Sequence, residues 1–236
     1  MFNSNSSFLG NISPVVRNLL IINVLFFVAT WALAHKINLS YYLGLHYWEA
    51  SAFNPAQFIS YMFMHAGFSH LFFNMFGLWM FGQILERVMG TKRFLLYYFI
   101  CGVGAAIVQQ LLWTIEFRPF IETMNNYIGQ HPSNVSEIIS HKISQLNIPI
   151  TIGASGAIFG LLIAFAMLFP NQPMFLIFLP IPIKAKYFVV GYAIIELFFG
   201  VGNFNFDNIA HFAHLGGMLF GFITLLFFRR DKRNFY

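Results

Sequence analysis

One serine and one histidine lie in apolar segments that are far apart in the chain, each beside a glycine motif. Ser155 lies within ITIGASGAIFG at positions 150–160, and His214 lies within AHLGGMLFG at positions 213–221. A serine hydroxyl becomes a good nucleophile when a base removes its proton, and histidine is the side chain best suited to that work near neutral pH. The two residues therefore indicate nucleophilic catalysis, provided that the fold brings them together.

His70 and Asn74 are the hydrogen-bond donors that such chemistry would need. Acyl transfer passes through an oxyanion, and preorganised donors for it are usually the largest catalytic contribution. The two residues are four positions apart and share one face of a helix. Phe159 follows Ser155 by four positions and is a candidate to pack against the imidazole of His214. Each residue taken alone also fits a structural role, because small and polar residues line helix contacts in membranes.

No acidic residue is placed in the sequence to complete a triad with Ser155 and His214. Asp207 precedes His214 by seven positions and falls at the predicted membrane rim. Glu196 lies inside an apolar segment and has no evident partner in the sequence. His211 lies one turn from His214, and we leave open whether it supports the site. The sequence therefore predicts a Ser–His dyad.

The segments that carry these residues are typical of a membrane protein. Of the 236 residues, 58% are hydrophobic and 9% are charged, whereas soluble domains carry about 25% charged residues. A membrane helix needs roughly 20 apolar residues. Six segments qualify, at about 18–34, 66–85, 94–115, 150–169, 187–203 and 208–228.

We therefore predict an all-α, polytopic bundle of six transmembrane helices. The whole chain, 1–236, is expected to form a single membrane domain, with a short N-terminal segment at 1–17 and a basic tail at 229–236. The polar stretch at about 116–149 is expected to be a loop outside the membrane. A short apolar run with two prolines, at 174–183, is expected at the membrane surface between segments four and five.

Segments two, four and six start from the same face of the membrane, which places the polar residues at similar depths. At ~1.5 Å per residue, Ser155 and His214 lie roughly 8–9 Å below the outer surface, and His70 and Asn74 roughly 6–12 Å below it. Segments four and six each carry a G-x-x-x-G motif, which lets helix backbones approach closely. The motifs are Gly156 with Gly160 and Gly217 with Gly221. A hydrogen bond between Ser155 and His214 becomes geometrically possible.

Basic residues are concentrated on one side of the six segments. Three of the 13 lie on the opposite side, namely Lys36, Arg118 and Lys142. The other ten are Arg17, Arg87, Lys92, Arg93, Lys184, Lys186, Arg229, Arg230, Lys232 and Arg233. The positive-inside rule then predicts that both termini are cytoplasmic. The net charge of +5 is explained by topology, so no nucleic-acid partner is expected, and the compact chain suggests a bacterial plasma membrane.

Three segments resemble the signature segments of the rhomboid family of intramembrane serine proteases. They are HAGFSHLFFN at 65–74, GASGAIFG at 153–160 and AHLGGMLFG at 213–221, and the resemblance extends over about 55–225. It implies that Ser155 is the nucleophile and His214 the general base. It also implies that His70 and Asn74 stabilise the oxyanion and that Phe159 stacks on His214.

Two further segments bear on the resemblance. Glu86 and Arg87 in ILERVMG resemble the charged pair that closes the second helix of the family. The first outer loop departs from the family, because Trp48 is followed by Glu49 where a Trp–Arg pair is common.

We therefore predict a serine endopeptidase that hydrolyses peptide bonds in or near the transmembrane segments of other membrane proteins. Its expected partners are those substrates and the lipid bilayer, and no cofactor or metal is expected.

Three other classes are weighed against it. A metal enzyme is suggested superficially by HAGFSH and HFAH, but H-E-x-x-H is absent. A binding protein that does not cut is disfavoured by the presence of both Ser155 and His214. A transporter would place its polar groups nearer the midplane and show an internal repeat.

Overall fold

The computed structural model describes residues 12–130, 135–176, 179–202 and 210–230, and these are mostly helical. The helices are α1 (Pro14–Leu33), α2 (Leu39–Leu43), α3 (Gln57–Ser60), α4 (Phe68–Met89), α5 (Thr91–Gln130), α6 (Val135–Leu146), α7 (Ser155–Leu168), α8 (Ala185–Gly202) and α9 (His211–Arg230). The strands are β1 (Leu45–His46), β2 (Ile150–Thr151), β3 (Pro173–Leu176) and β4 (Leu179–Lys184). Most of the predicted N-terminal segment and of the basic tail lies outside the described residues.

Four of the described helices, α1, α5, α8 and α9, are long and apolar enough to cross a membrane. The helix α7 is apolar but shorter, with 14 residues. The helix α4 has 22 residues, but it also carries five strongly polar ones, namely His70, Asn74, Gln83, Glu86 and Arg87, and it is not among these four. Four of the six predicted membrane segments therefore coincide with helices that are able to span a bilayer by length and composition.

The helix α7 begins at Ser155, five residues later than the predicted segment four. Two features stop it from starting earlier. Ile150 and Thr151 pair with β1 in an antiparallel ladder, and Gly153 has a φ of +124°, which a helix does not allow and which side chains other than hydrogen disfavour. A 14-residue helix is about 21 Å long, whereas a hydrocarbon core is about 30 Å thick. If α7 ends at one membrane surface, Ser155 therefore lies inside the bilayer.

The helices α7 and α9 pack through their glycine faces. A Cβ atom at Gly217 would collide with the backbone of Gly156, and one at Gly221 would lie 3.0 Å from the Cα of Gly160. A Cβ atom at Gly160 would collide with Cys101 of α5 and would lie 3.1 Å from the carbonyl oxygen of Gly217 of α9. This close approach of backbones puts the first turns of α7 and α9 side by side.

Glu86, near the end of α4, binds the first turn of α1. Its Oε1 accepts the backbone N–H of Val15, and its Oε2 accepts that of Val16, both at 3.0 Å. The N-cap residue of α1, Ser13, makes no side-chain capping bond, so Glu86 satisfies amides that a helix leaves free at its start. Arg87 is exposed. Glu86 is buried, so the two neighbouring charged side chains lie in different environments at the end of α4.

The segment between α2 and α3 is attached to α5 and α3 by two glutamine side chains. Gln110 accepts the backbone N–H of Trp48 at 2.9 Å and donates to the carbonyl of His46 at 2.6 Å. Gln57 accepts the backbone N–H of His46 at 3.1 Å. Between these bonds, the side chain of Tyr47 is fully buried. The loop is thus anchored although it lacks the Trp–Arg pair.

The structure gives the conformation of two stretches between the predicted membrane segments, one predicted to be a loop and one predicted only to lie at the membrane surface. The polar stretch at 116–149 is largely helical, because α5 continues to Gln130 and α6 follows, with Lys142 of α6 donating to Asn125 of α5 at 3.2 Å. In the proline-containing apolar run, β3 and β4 pair in an antiparallel ladder. Proline fits this two-stranded ladder because its missing N–H is tolerated at strand edges.

Candidate active site

Ser155 and His214 meet at the beginnings of α7 and α9. Ser155 is the first residue of α7, and His214 lies in the first turn of α9. The distance between Ser155 Oγ and His214 Nε2 is 2.8 Å, which is a hydrogen bond. The hydroxyl is half-buried and the imidazole is buried. The arrangement satisfies the geometric requirement for a nucleophile and its base.

An aromatic stack holds the imidazole of His214 in place. The ring of Phe159 lies 4.1 Å from it, at an angle of 10°. On the other face of Phe159, the ring of Tyr192 on α8 lies at 5.2 Å, and Phe188 continues the stack at 5.9 Å. Three parallel rings beneath the imidazole restrict the rotation of His214 about its side-chain bonds.

His70 reaches the same place from α4, with only a glycine between it and the serine. A Cβ atom at Gly153 would lie 2.7 Å from His70 Nε2 and 3.7 Å from Ser155 Oγ. The backbone N–H of Ala66 donates to His70 Nδ1 at 3.3 Å. In a neutral imidazole one nitrogen accepts and the other carries the proton. The Nε2 atom of His70 is therefore an N–H donor beside Ser155.

Asn74 lies one turn further along α4. Its Nδ2 donates to the carbonyl of His70 at 2.8 Å, and because a carbonyl only accepts, the amide nitrogen must be the atom at this position. One N–H of Nδ2 remains for another acceptor. The Oδ1 atom is buried without a partner among the described residues. The side chain of Asn74 is thus fixed by one hydrogen bond, and its second N–H remains available to an oxyanion.

The start of α7 is also a site for negative charge. It has no side-chain cap, and the first N–H groups of a helix have no acceptor within it. Such a terminus attracts anions, since its amides and the helix dipole both favour negative charge. The backbone amide at Ser155 therefore complements the donors of His70 and Asn74.

The prediction that Glu196 lacks a partner and that no carboxylate serves His214 is wrong. Glu196 Oε2 lies 2.9 Å from His214 Nδ1 and 2.6 Å from His211 Nδ1. A signal for this was present in the sequence. Glu196 precedes the end of α8 at Gly202 by six residues, which is about 9 Å, so it lies at the depth predicted for Ser155.

Glu196, His211 and His214 also form a group whose ligand atoms all lie within 4.8 Å of one another. A zinc ion bound tetrahedrally at about 2.1 Å requires ligand atoms about 3.4 Å apart. The observed N–O distances of 2.6 and 2.9 Å are shorter and are those of hydrogen bonds between imidazoles and a carboxylate. In this structure the group is therefore a hydrogen-bonded network of two imidazoles and one carboxylate.

Residues 52–231 match the family model described as Rhomboid domain. Among curated proteins, the chain is 32% identical over 162 residues to Rhomboid protease GluP of Bacillus subtilis, which is 68% of this chain and 24% of that protein. It is 28% identical over 182 residues to YdcA of the same organism, a provisionally named rhomboid protease, which is 76% of this chain and 70% of YdcA. It is 29% identical over 161 residues to Rhomboid protein 1, mitochondrial, of Saccharomyces cerevisiae, which is 67% of this chain and 38% of that protein. The chain therefore spans less than half the length of GluP and of the yeast protein.

Proposed function

Because the chain belongs to the rhomboid family, we propose that it is an intramembrane serine endopeptidase that hydrolyses peptide bonds in or near transmembrane segments. The observation that carries the proposal is the 2.8 Å contact between Ser155 Oγ and His214 Nε2. The match to GluP, a relative named as a protease, supports the same conclusion. A Ser–His pair with adjacent donors is suited to acyl transfer and needs no cofactor.

The residues have the following roles in the proposed reaction. Ser155 Oγ attacks the carbonyl carbon of the scissile bond while its proton passes to His214 Nε2. The oxyanion that forms accepts hydrogen bonds from His70 Nε2, Asn74 Nδ2 and the amide at the start of α7. His214 then gives the proton to the leaving amine, and a water molecule repeats the sequence on the acyl enzyme. Phe159 keeps the imidazole oriented throughout.

The proposal includes a membrane arrangement. We propose a single domain in which α4 and α7 complete six spans with α1, α5, α8 and α9, in a bacterial plasma membrane. The excess of basic residues on one side favours cytoplasmic termini. The active site then opens to the outer face, from which water must reach Ser155. The orientation is tested by fusing, after position 236, a reporter enzyme that is active only outside the cytoplasm. We expect this fusion to be inactive, and activity would contradict the proposed orientation.

A direct test of the function uses the purified chain and a single-span reporter protein. We expect cleavage of the reporter, and we expect a serine-reactive fluorophosphonate to stop it and to label the protein at Ser155. Cleavage should continue in the presence of a chelator such as EDTA. Loss of cleavage with EDTA and its return with zinc would instead support a metal enzyme. No cleavage of any single-span reporter, with Ser155 unreactive, would favour a protein that binds membrane helices without cutting them.

Asn74→Ala is expected to lower kcat about 10²-fold, because one oxyanion donor is worth about 3 kcal/mol. Asn23 of α1 is a matched control. It is buried and donates through Nδ2 to the carbonyl four residues earlier at 2.7 Å, with an unpartnered Oδ1, as Asn74 does. Asn23→Ala should leave kcat unchanged in steady-state assays of reporter cleavage. Equal losses in the two variants would mean that Asn74 acts only in packing.

A further inference from the structure

Glu196 is a charged side chain on a helix that otherwise presents apolar residues. Among the described residues of α8, it is buried together with Ala185 and Val189, while most other side chains of the helix are exposed or half-buried. An ionisable group inside a bilayer is costly and is kept where it is paired and has a function. Its position at the Ser155–His214 contact suggests what that function is.

One oxygen atom of Glu196 serves both histidines of α9. Oε2 accepts from His211 Nδ1 at 2.6 Å and from His214 Nδ1 at 2.9 Å. The exposed fractions of Glu196, His211 and His214 are 5%, 8% and 8%, so water competes little for these bonds. Two donors on one oxygen is the arrangement of an ionised carboxylate, which can only accept.

The contact decides which nitrogen of His214 carries the proton. Because the carboxylate only accepts, Nδ1 of His214 must be the N–H nitrogen, and Nε2 then has a free lone pair. That lone pair is the one facing Ser155 Oγ at 2.8 Å. In the other tautomer Nε2 carries a hydrogen and is unable to take the serine proton.

We propose that Glu196 is a positioning residue of this site, which sets the tautomer of His214 and stabilises the imidazolium that forms during the reaction. The inference rests on the proposed function. As Ser155 Oγ bonds to the carbonyl carbon, its proton moves to His214 Nε2, and the positive charge on the ring is balanced by Glu196, which stays ionised. When the C–N bond breaks, the same proton leaves with the amine and the ring is neutral again.

His211 contacts the carboxylate of Glu196 and acts on the position of that group, whereas His214 contacts Ser155 directly. It lies one turn before His214 on α9, its ring stacks on Phe199 of α8 at 5.7 Å, and its Nδ1 bonds the same Oε2 atom. His211 therefore fixes Glu196 relative to α9. Its removal leaves the bond between Glu196 and His214 possible, so the effect on the reaction is smaller than that of removing the carboxylate.

The test compares Glu196→Gln with the wild type in reporter cleavage and in fluorophosphonate labelling of Ser155. Glutamine keeps the size of the side chain but not its charge, and its amide is able to stabilise either tautomer. We expect kcat to fall by about 10³-fold or more, because loss of the carboxylate behind a catalytic histidine costs about 10⁴-fold in serine proteases. KM should stay within about twofold, and labelling of Ser155 should slow in parallel with kcat. His211→Ala should lower kcat by about tenfold or less, and Glu122→Gln, at an exposed ion pair with Arg118, should leave it unchanged.

The outcomes distinguish a failure of the proposed protease function from a failure of the proposed role of Glu196. If the wild type does not cleave and is not labelled, the function is wrong. If the wild type cleaves and Glu196→Gln keeps more than a tenth of its kcat, Glu196 does not position His214. An equal loss in His211→Ala, or a change confined to KM, assigns the cluster a structural role and also overturns the inference. Should Glu196→Gln not fold, Glu196→Met, an apolar side chain of similar length, is measured in the same way and must show the same loss.

Discussion

Ser155→Ala is expected to abolish reporter cleavage, with a loss of at least about 10⁴-fold in kcat. The variant lacks the hydroxyl that lies 2.8 Å from His214 Nε2, and the substitution removes only this one oxygen atom from the side chain. Losses of this size or more follow when the nucleophile of a serine enzyme is deleted. The fold should not suffer, because alanine favours a helix at least as well as serine does and Ser155 is only half-buried.

The measurement is steady-state cleavage by purified protein, alongside its thermal unfolding midpoint. Ser69→Ala is the matched control, since Ser69 is an exposed serine on the same turn of α4 as His70. It should cleave at the rate of the wild type. Turnover by purified Ser155→Ala within a hundredfold of the wild type would show that another group makes the attack.

His214→Ala is expected to lose about as much activity as Ser155→Ala. The serine hydroxyl has no base without the imidazole, so its reaction with a fluorophosphonate should be lost together with cleavage. The two residues act as one unit, and the double variant should therefore be no slower than either single variant. His141→Ala, at an exposed histidine of α6, should retain full activity.

The double variant gives the sharper comparison. If the two losses multiplied, Ser155 and His214 would be acting independently, and the 2.8 Å contact would have no part in the reaction. Full labelling of Ser155 by the probe in His214→Ala would mean that a different base activates the serine.

Four long apolar helices and the approach of Ser155 to His214 could be predicted from the sequence. The length of an apolar segment and the depth of a residue within it are counted along the chain, without knowledge of the fold. The segments ending at Leu33 and beginning at His211 agree with the structure within a few residues. The glycine spacing on α7 and α9 predicts backbone contact without any knowledge of neighbouring side chains, since close approach requires only the absence of Cβ atoms.

What the sequence did not give depends on three-dimensional register. The start of α7 is moved to Ser155 by a φ of +124° at Gly153 and by pairing with β1, which lies about a hundred residues earlier in the chain. The direction of Glu196 depends on the rotation of α8 about its axis, which no periodicity in an almost uniformly apolar helix reveals. The depth of Glu196 was calculable, but its partner was not.

The bond from Glu86 to the first amides of α1 has a consequence for biosynthesis. The helix α1 leaves the ribosome before α4, yet the hydrogen bonds of its first turn depend on a carboxylate that is made about 70 residues later. Until α4 has been inserted beside it, those amides have to be solvated by water or lipid headgroups. The helix α1 is therefore able to complete its docking only after α4 has been made, and the order of assembly at this contact is the reverse of the order of synthesis.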